Sequence, residues 1–297
     1  MVVARILGAT LAYLGVLFSA EILLLFFVGL AVAPAAQGPL ALVSLGVAEA
    51  AAFAAVLLTW RLIDHRPTRQ LGLEPHRAAP RWLRGASAAT LMMGCIVLTW
   101  YTLLDGAVWT INPDPARSGV VLIGGLLGFV AQGAAEEVLF RGYILENLTG
   151  KWGLRWAVIV SSLAFGLFHA PNPNFGPLAF ANLVLFGVAT AFYKVRIDRG
   201  QLWGVFGIHA VWNWLQQVVF GLPNSGVGYG ADNSLFTITP NASLPEAIWG
   251  GGFGPEGTLG TSLVLLALIG VTLRRPQPSP TTASHELARS QQARRQG

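Results

Sequence analysis

Three short clusters hold the side chains in this chain that could do chemistry. The first is Glu136-Glu137 with Arg141 four residues beyond. Adjacent helical residues point about 100° apart, whereas Glu137 and Arg141 share a face and can pair. One carboxylate is thereby tied down and the other left for proton transfer, the division a general base needs. The same residues would also serve as a solvated ion pair at a helix end. The second cluster is Phe165 with His169, again four apart, so the ring can pack on the imidazole. A lone histidine in an apolar helix equally suits a packed core position. The third is His209 with Asn213, two N–H donors on one face that could hold an oxyanion. Neither has an ionic partner within its own helix, so both are expected to be free for a transition state. Polar groups inside apolar segments are costly, and three such clusters are most economically read as parts of one site.

The elements that must position them are membrane helices. Of the 297 residues, 54% are hydrophobic and only 11% charged, with a mean hydropathy of +0.57. An average soluble domain carries about 25% charged residues, so an ordinary soluble enzyme and a disordered chain are both excluded. The net charge is +5, but the basic residues fall in gaps between apolar runs instead of forming the exposed stripe that nucleic acid requires. The runs are 6–33, 38–63, 85–105, 119–140, 154–170, 175–195, 200–220 and 257–273. A spanning helix needs about 20 apolar residues, and continuous rather than alternating apolar sequence selects helices over a barrel. The first run is too long for a signal-peptide core and is read as a retained span.

The gaps alternate in charge. Arg66, Arg69, Arg77, Arg81 and Arg84 lie in one, Arg141, Lys151 and Arg155 in the next, then Arg196 and Arg199, and finally Arg274 and Arg275. The intervening gaps, 34–37, 106–118, 171–174 and 221–256, contain a single basic residue, Arg117. Basic loops stay in the cytoplasm. The expected architecture is therefore all-α: a polytopic membrane bundle of about eight transmembrane helices over 1–275, both termini cytoplasmic, with a disordered cytoplasmic tail at 276–297. Segment 66–84 is read as amphipathic on the inner membrane surface, and the 221–256 loop as irregular.

Other features carry less. Glu21 and Glu49 sit alone in the first two spans, with structure and function equally open. Cys95, the only cysteine, reads as a small core hydrophobe and excludes disulfides and thiolate metal sites. Ser161 and Ser162 lack the Gly-x-Ser-x-Gly elbow of serine hydrolases. Gly250-Gly251-Gly252 lacks the Lys-Ser/Thr of a phosphate loop.

In combination, Glu136-Glu137-x-x-x-Arg141, Phe165-x-x-x-His169 and His209-x-x-x-Asn213 resemble, in order, the motifs of the CAAX protease and bacteriocin-processing (CPBP or Abi) family of intramembrane glutamate proteases, and Gly200-Gln201-Leu202-Trp203 is similar to the family as well. The resemblance covers about 119–220 and implies a catalytic core there, like that of type II CAAX prenyl endopeptidases. It implies that Glu136 with His169 orients and deprotonates a water, that Glu137 and Arg141 brace the site, and that His209 and Asn213 stabilise the oxyanion. It implies a peptide or lipidated protein substrate met at the lipid bilayer, no nucleic acid, and a multi-pass location in the cell membrane, for an Ala/Arg-rich chain the bacterial inner membrane. Glu136, His169 and His209 could also form a His-His-carboxylate zinc site, but the zincin His-Glu-x-x-His is absent and the family favours no metal. Two readings compete with an endopeptidase: a non-catalytic membrane scaffold using the same pocket, and a proton-relaying transporter, which predicts an internal repeat that the sequence lacks.

Depth poses one difficulty. With helices starting at Gly119 and Arg155, Glu136 and His169 would lie about 25 and 20 Å from opposite membrane edges. Either the fourth helix is long and tilted, or 142–155 dips into the bilayer; the second is expected in part, with the site opening toward the cytoplasm.

Overall fold

A computed structural model describes residues 2–31, 37–103, 107–112, 115–228, 233–240 and 244–276. The proposed tail beyond Pro276 lies outside the described residues, as does the side chain of Glu21. The structure is mostly helical, and each of the eight apolar runs forms a helix: α1 (Val2–Ala31), α2 (Gln37–Leu58), α3 (Ala78–Leu103), α4 (Pro115–Glu137), α5 (Leu145–Phe168), α6 (Pro177–Phe192), α7 (Trp203–Trp214) and, after a short α8 (Glu246–Trp249), α9 (Leu259–Leu273). Among the described residues, four stretches are long and apolar enough to cross a membrane: Ser44–Ile63, Ala78–Trp100, Gly119–Phe168 and Pro177–Ile197; Val2–Val16 and Leu259–Leu273 are shorter apolar helices. Large apolar side chains such as Leu11, Leu91, Ile123, Leu127 and Leu263 remain exposed, as lipid-facing surfaces require.

Two expectations change with packing. Cys95 is exposed, on the same outward-facing part of α3 as Leu91 and Leu98, and is no core residue. Strand β1 (Ala107–Ile111) pairs antiparallel with β2 (Phe236–Pro240), in register from Ala107 opposite Pro240 to Ile111 opposite Phe236. The fold stays predominantly helical, as expected, with this one short strand pair, and the long 221–256 loop is partly ordered by pairing with the 106–118 gap.

Helices α4 and α5 form one helical tract, joined by a π-helical turn at Val138–Ile144. The reversal comes at Gly153, whose φ of 78° and ψ of 163° break the helix in a region that suits glycine alone. Counted from Gly153, Glu136 is 17 residues upstream and His169 16 downstream, about 26 and 24 Å at 1.5 Å per residue. The two are level because the fourth helix is long. Residues 142–148 continue that helix, and Gly142, Tyr143, Ile144, Leu145, Asn147 and Leu148 are buried in it.

The basic gaps meet at one end of the bundle. Arg5 pairs with Asp64 (3.2 Å) and Arg84 with Asp198 (3.7 Å). Arg66 donates to Asn147 Oδ1 (3.4 Å), and Arg196 to the carbonyls of Leu273 and Arg275 (3.1 and 3.0 Å). The 66–84 segment is docked there: Leu71 is buried, and Leu202 N donates to the Gly72 carbonyl at 2.9 Å. At the opposite end, the strand pair joins two of the other gaps, and Asn172 Nδ2 donates to the Ser225 carbonyl at 2.9 Å.

Helix α7 packs on both α3 and α4. Close approach needs small residues, as is common between membrane helices. A Cβ at Gly85 would collide with the Gly204 carbonyl, and one at Gly133 would sit 3.0 Å from Ala210 N and 3.2 Å from His209 Cβ. Gly133 therefore lets α7 bring His209 against the end of α4.

Candidate active site

The structure brings all three clusters together. Glu136 and Glu137 end α4, Arg141 lies in the π turn, His169 caps α5, and His209 and Asn213 lie on α7. All six are buried. A π turn changes the angular step of a helix and is often found at functional sites; here it begins directly after the carboxylate pair.

Glu137 is the hub. Its Oε1 lies 3.2 Å from Arg141 Nη1 and 2.9 Å from His209 Nδ1. The Arg141 guanidinium also lies over the Phe165 ring, 4.1 Å from its centroid, a favourable place for a desolvated cation. Glu137 and Arg141 are both 0% exposed, so neither charge is relieved by solvent. The expectation that His209 is free is therefore corrected: its Nδ1 is held by Glu137, and only Nε2 faces the site.

Glu136 points the other way, as the 100° step requires. Its Oε2 is buried, has no hydrogen-bond partner, and lies 3.8 Å from His169 Nε2 and 3.9 Å from His209 Nε2. His169 Nδ1 lies 2.9 Å from the Phe165 carbonyl. A carbonyl can only accept, so Nδ1 carries a proton, and in the neutral ring Nε2 is then an acceptor. Phe165 packs on the His169 ring as its spacing predicts, with centroids 4.8 Å apart, and Phe186 meets His209 edge-on at 5.2 Å.

Asn213 is not free either. Its Nδ2 donates to Gln132 Oε1 at 3.1 Å, which occupies one of its two protons. Gln132 was missed in the sequence, though its position one turn before Glu136 was a usable signal. Glu49 has a partner from another helix, the Tyr13 hydroxyl at 3.0 Å; its distance along the chain hid the pairing.

Glu136, His169, His209 and Asn213 line a cavity of about 630 Å³, with Phe129, Phe165 and Phe186 among its apolar walls. Glu49 and Gln132 line it as well. Ser161 and Ser162 are buried and do not line it. Among the described residues no three His, Cys, Asp or Glu side chains are grouped to hold a metal ion. The cavity does not reach the basic end of the bundle. Its lining includes Asn172, Asn224, Ser225 and Glu256, from the gaps at the opposite end.

Residues 118–215 match the family described as type II CAAX prenyl endopeptidase Rce1-like. The match holds every one of the six clustered residues and supports the resemblance to CAAX-type membrane proteases read from the motifs. Comparison of the whole chain with curated proteins finds no match.

Proposed function

We propose that this protein is an intramembrane endopeptidase that hydrolyses membrane-associated or lipidated peptides with a water activated by Glu136. The observation that carries this reading is the placement of Glu136 Oε2: buried, unpartnered, and flanked by two imidazole Nε2 atoms on the wall of the cavity. The 3.8 Å gap to His169 is too long for a direct hydrogen bond and suits one water bonded to both. That water would donate one proton toward Glu136 and the other to His169 Nε2. As its oxygen attacks the scissile carbonyl, Glu136 takes the proton. As the tetrahedral intermediate collapses, Glu136 returns it to the departing amine nitrogen, so that water and the amide become an acid and an amine.

His209 Nε2 and the second proton of Asn213 Nδ2 would hold the oxyanion. Since Nδ1 already faces Glu137, donation from Nε2 requires His209 to carry both protons. Glu137 supplies the counter-charge, Arg141 holds Glu137, and the four groups Glu136, Glu137, Arg141 and His209 then sum to zero. Arg141 and Glu137 are positioning residues on this reading. No metal takes part.

In the membrane, the eight helices would span with both termini cytoplasmic, residues 119–220 forming the catalytic core within 1–275, in the inner membrane of a bacterium. Purified protein should cleave peptides in detergent or liposomes, and the Glu136→Ala variant should not. Absence of turnover in a correctly folded wild type would return the reading to a non-catalytic scaffold.

A further inference from the structure

The walls of the cavity come from two kinds of segment. Most of its wall is built by α4, α5, α6 and α7, with Leu14 of α1, Leu45 and Glu49 of α2, and Thr261 and Leu265 of α9. Its rim is built by Pro171 and Asn172 of the 171–174 gap and by Asn224, Ser225, Val227 and Glu256 of the following loop. The rim is braced: Ser225 N and Oγ both donate to Glu256 Oε2 (2.5 and 3.0 Å), and Gly226 N donates to the Phe253 carbonyl (3.0 Å). No lining residue comes from 59–84, 138–164 or 188–208, the stretches joined at the basic end. That side is sealed. Val138, Leu139, Phe140, Tyr143 and Ile144 are buried, and Lys194 Nζ donates to the Arg141 carbonyl at 2.7 Å and pairs with Glu146.

Basic loops are cytoplasmic, so the rim lies on the opposite side. We infer that the site is reached from the extracytoplasmic side and takes an extended internal peptide segment presented there, not a cytoplasmic carboxyl terminus. This rests on the endopeptidase reading and its orientation. The lining chemistry agrees. Asn172, Gln217 and Asn224 offer amides suited to a peptide backbone, and Phe129, Leu183, Phe186 and Trp212 an apolar wall for side chains. Neither Lys nor Arg lines the cavity, so a terminal carboxylate would meet Glu256 without a cation to receive it.

The test is one-sided labelling of single cysteines, with Cys95 replaced by Ala, using a permanently charged methanethiosulfonate on right-side-out and inside-out vesicles. Val227→Cys reports the rim, Arg69→Cys the basic end, and Leu183→Cys and Leu45→Cys, separately, the cavity. The expected result is labelling of Val227→Cys and both cavity variants only from the extracytoplasmic side, and of Arg69→Cys only from the other. Cavity labelling that follows Arg69→Cys, or none from either side, overturns the inference and leaves the orientation standing. Labelling of Arg69→Cys from outside overturns the orientation itself. None of these readouts depends on turnover, so the catalytic reading fails or stands separately.

Discussion

Replacing Glu137 with Gln keeps the shape of the side chain and removes its charge. Arg141, 0% exposed, then loses the carboxylate paired with it at 3.2 Å. Stranding one partner of a buried ion pair costs about 3–5 kcal/mol. The contact of Arg141 with the Phe165 ring is present in both proteins and cancels from the difference. The bond from His209 Nδ1, now to a neutral amide oxygen, loses roughly 1 kcal/mol of its charge assistance. Together these approach the whole stability of a typical domain, about 5–15 kcal/mol. Turnover should fall too, since His209 loses the anion that lets it carry both protons. The double variant Glu137→Gln/Arg141→Met removes the stranded cation and should regain most of the stability but none of the activity. Denaturant unfolding in mild detergent, followed by tryptophan fluorescence, reads the first effect, and peptide cleavage the second. The reasoning is refuted if Glu137→Gln unfolds within about 1 kcal/mol of wild type, or if the double variant is no more stable than the single one.

Glu136→Gln should abolish cleavage at a much smaller cost in stability than Glu137→Gln, because Oε2 forms no hydrogen bond to lose; retained cleavage would remove Glu136 from the role of base. Asn213→Ala should lower kcat about 10²–10³-fold with KM little changed, as for the loss of one oxyanion donor; a rise in KM at constant kcat would assign Asn213 to ground-state binding. Exhaustive chelation should leave activity intact, and metal analysis of the purified protein should find no stoichiometric zinc; loss of activity restored by zinc would overturn this. Burial pushes the Glu256 carboxyl up from 4.5 to about 7 against the opposing hydrogen bonds from Ser225 and Gln216. Between those values the folded state binds more protons than the unfolded, so this contribution is present below pH 4.5 and lost as pH rises through 7. The unfolding midpoint should therefore fall across that window, and Glu256→Gln should flatten the fall; an unchanged slope would show that Glu256 is not its source.

Whatever depends on neighbours along one helix was legible in the sequence. The eight apolar runs, the pairing of Glu137 with Arg141, the opposite aim of Glu136 and the stacking of Phe165 on His169 all follow from helical periodicity, which is local. The spacing of Gln132 from Glu136 was legible in the same way and was overlooked. What depends on how helices meet was not. Arg141 counts in the sequence as a loop charge, yet it is fully buried, because the π turn continues the helix and the chain reverses only at Gly153. His209 reaches Glu137 across 72 residues because Gly133 allows α7 to close on α4, and Cys95 faces outward because of which side of α3 packs against α7. Which end of the bundle the cavity approaches depends on packing for the same reason. Composition distinguishes a basic end from the other, but only the packed layer around Phe140 and Tyr143 decides which end is sealed, since sealing is a property of side chains from several helices filling one volume.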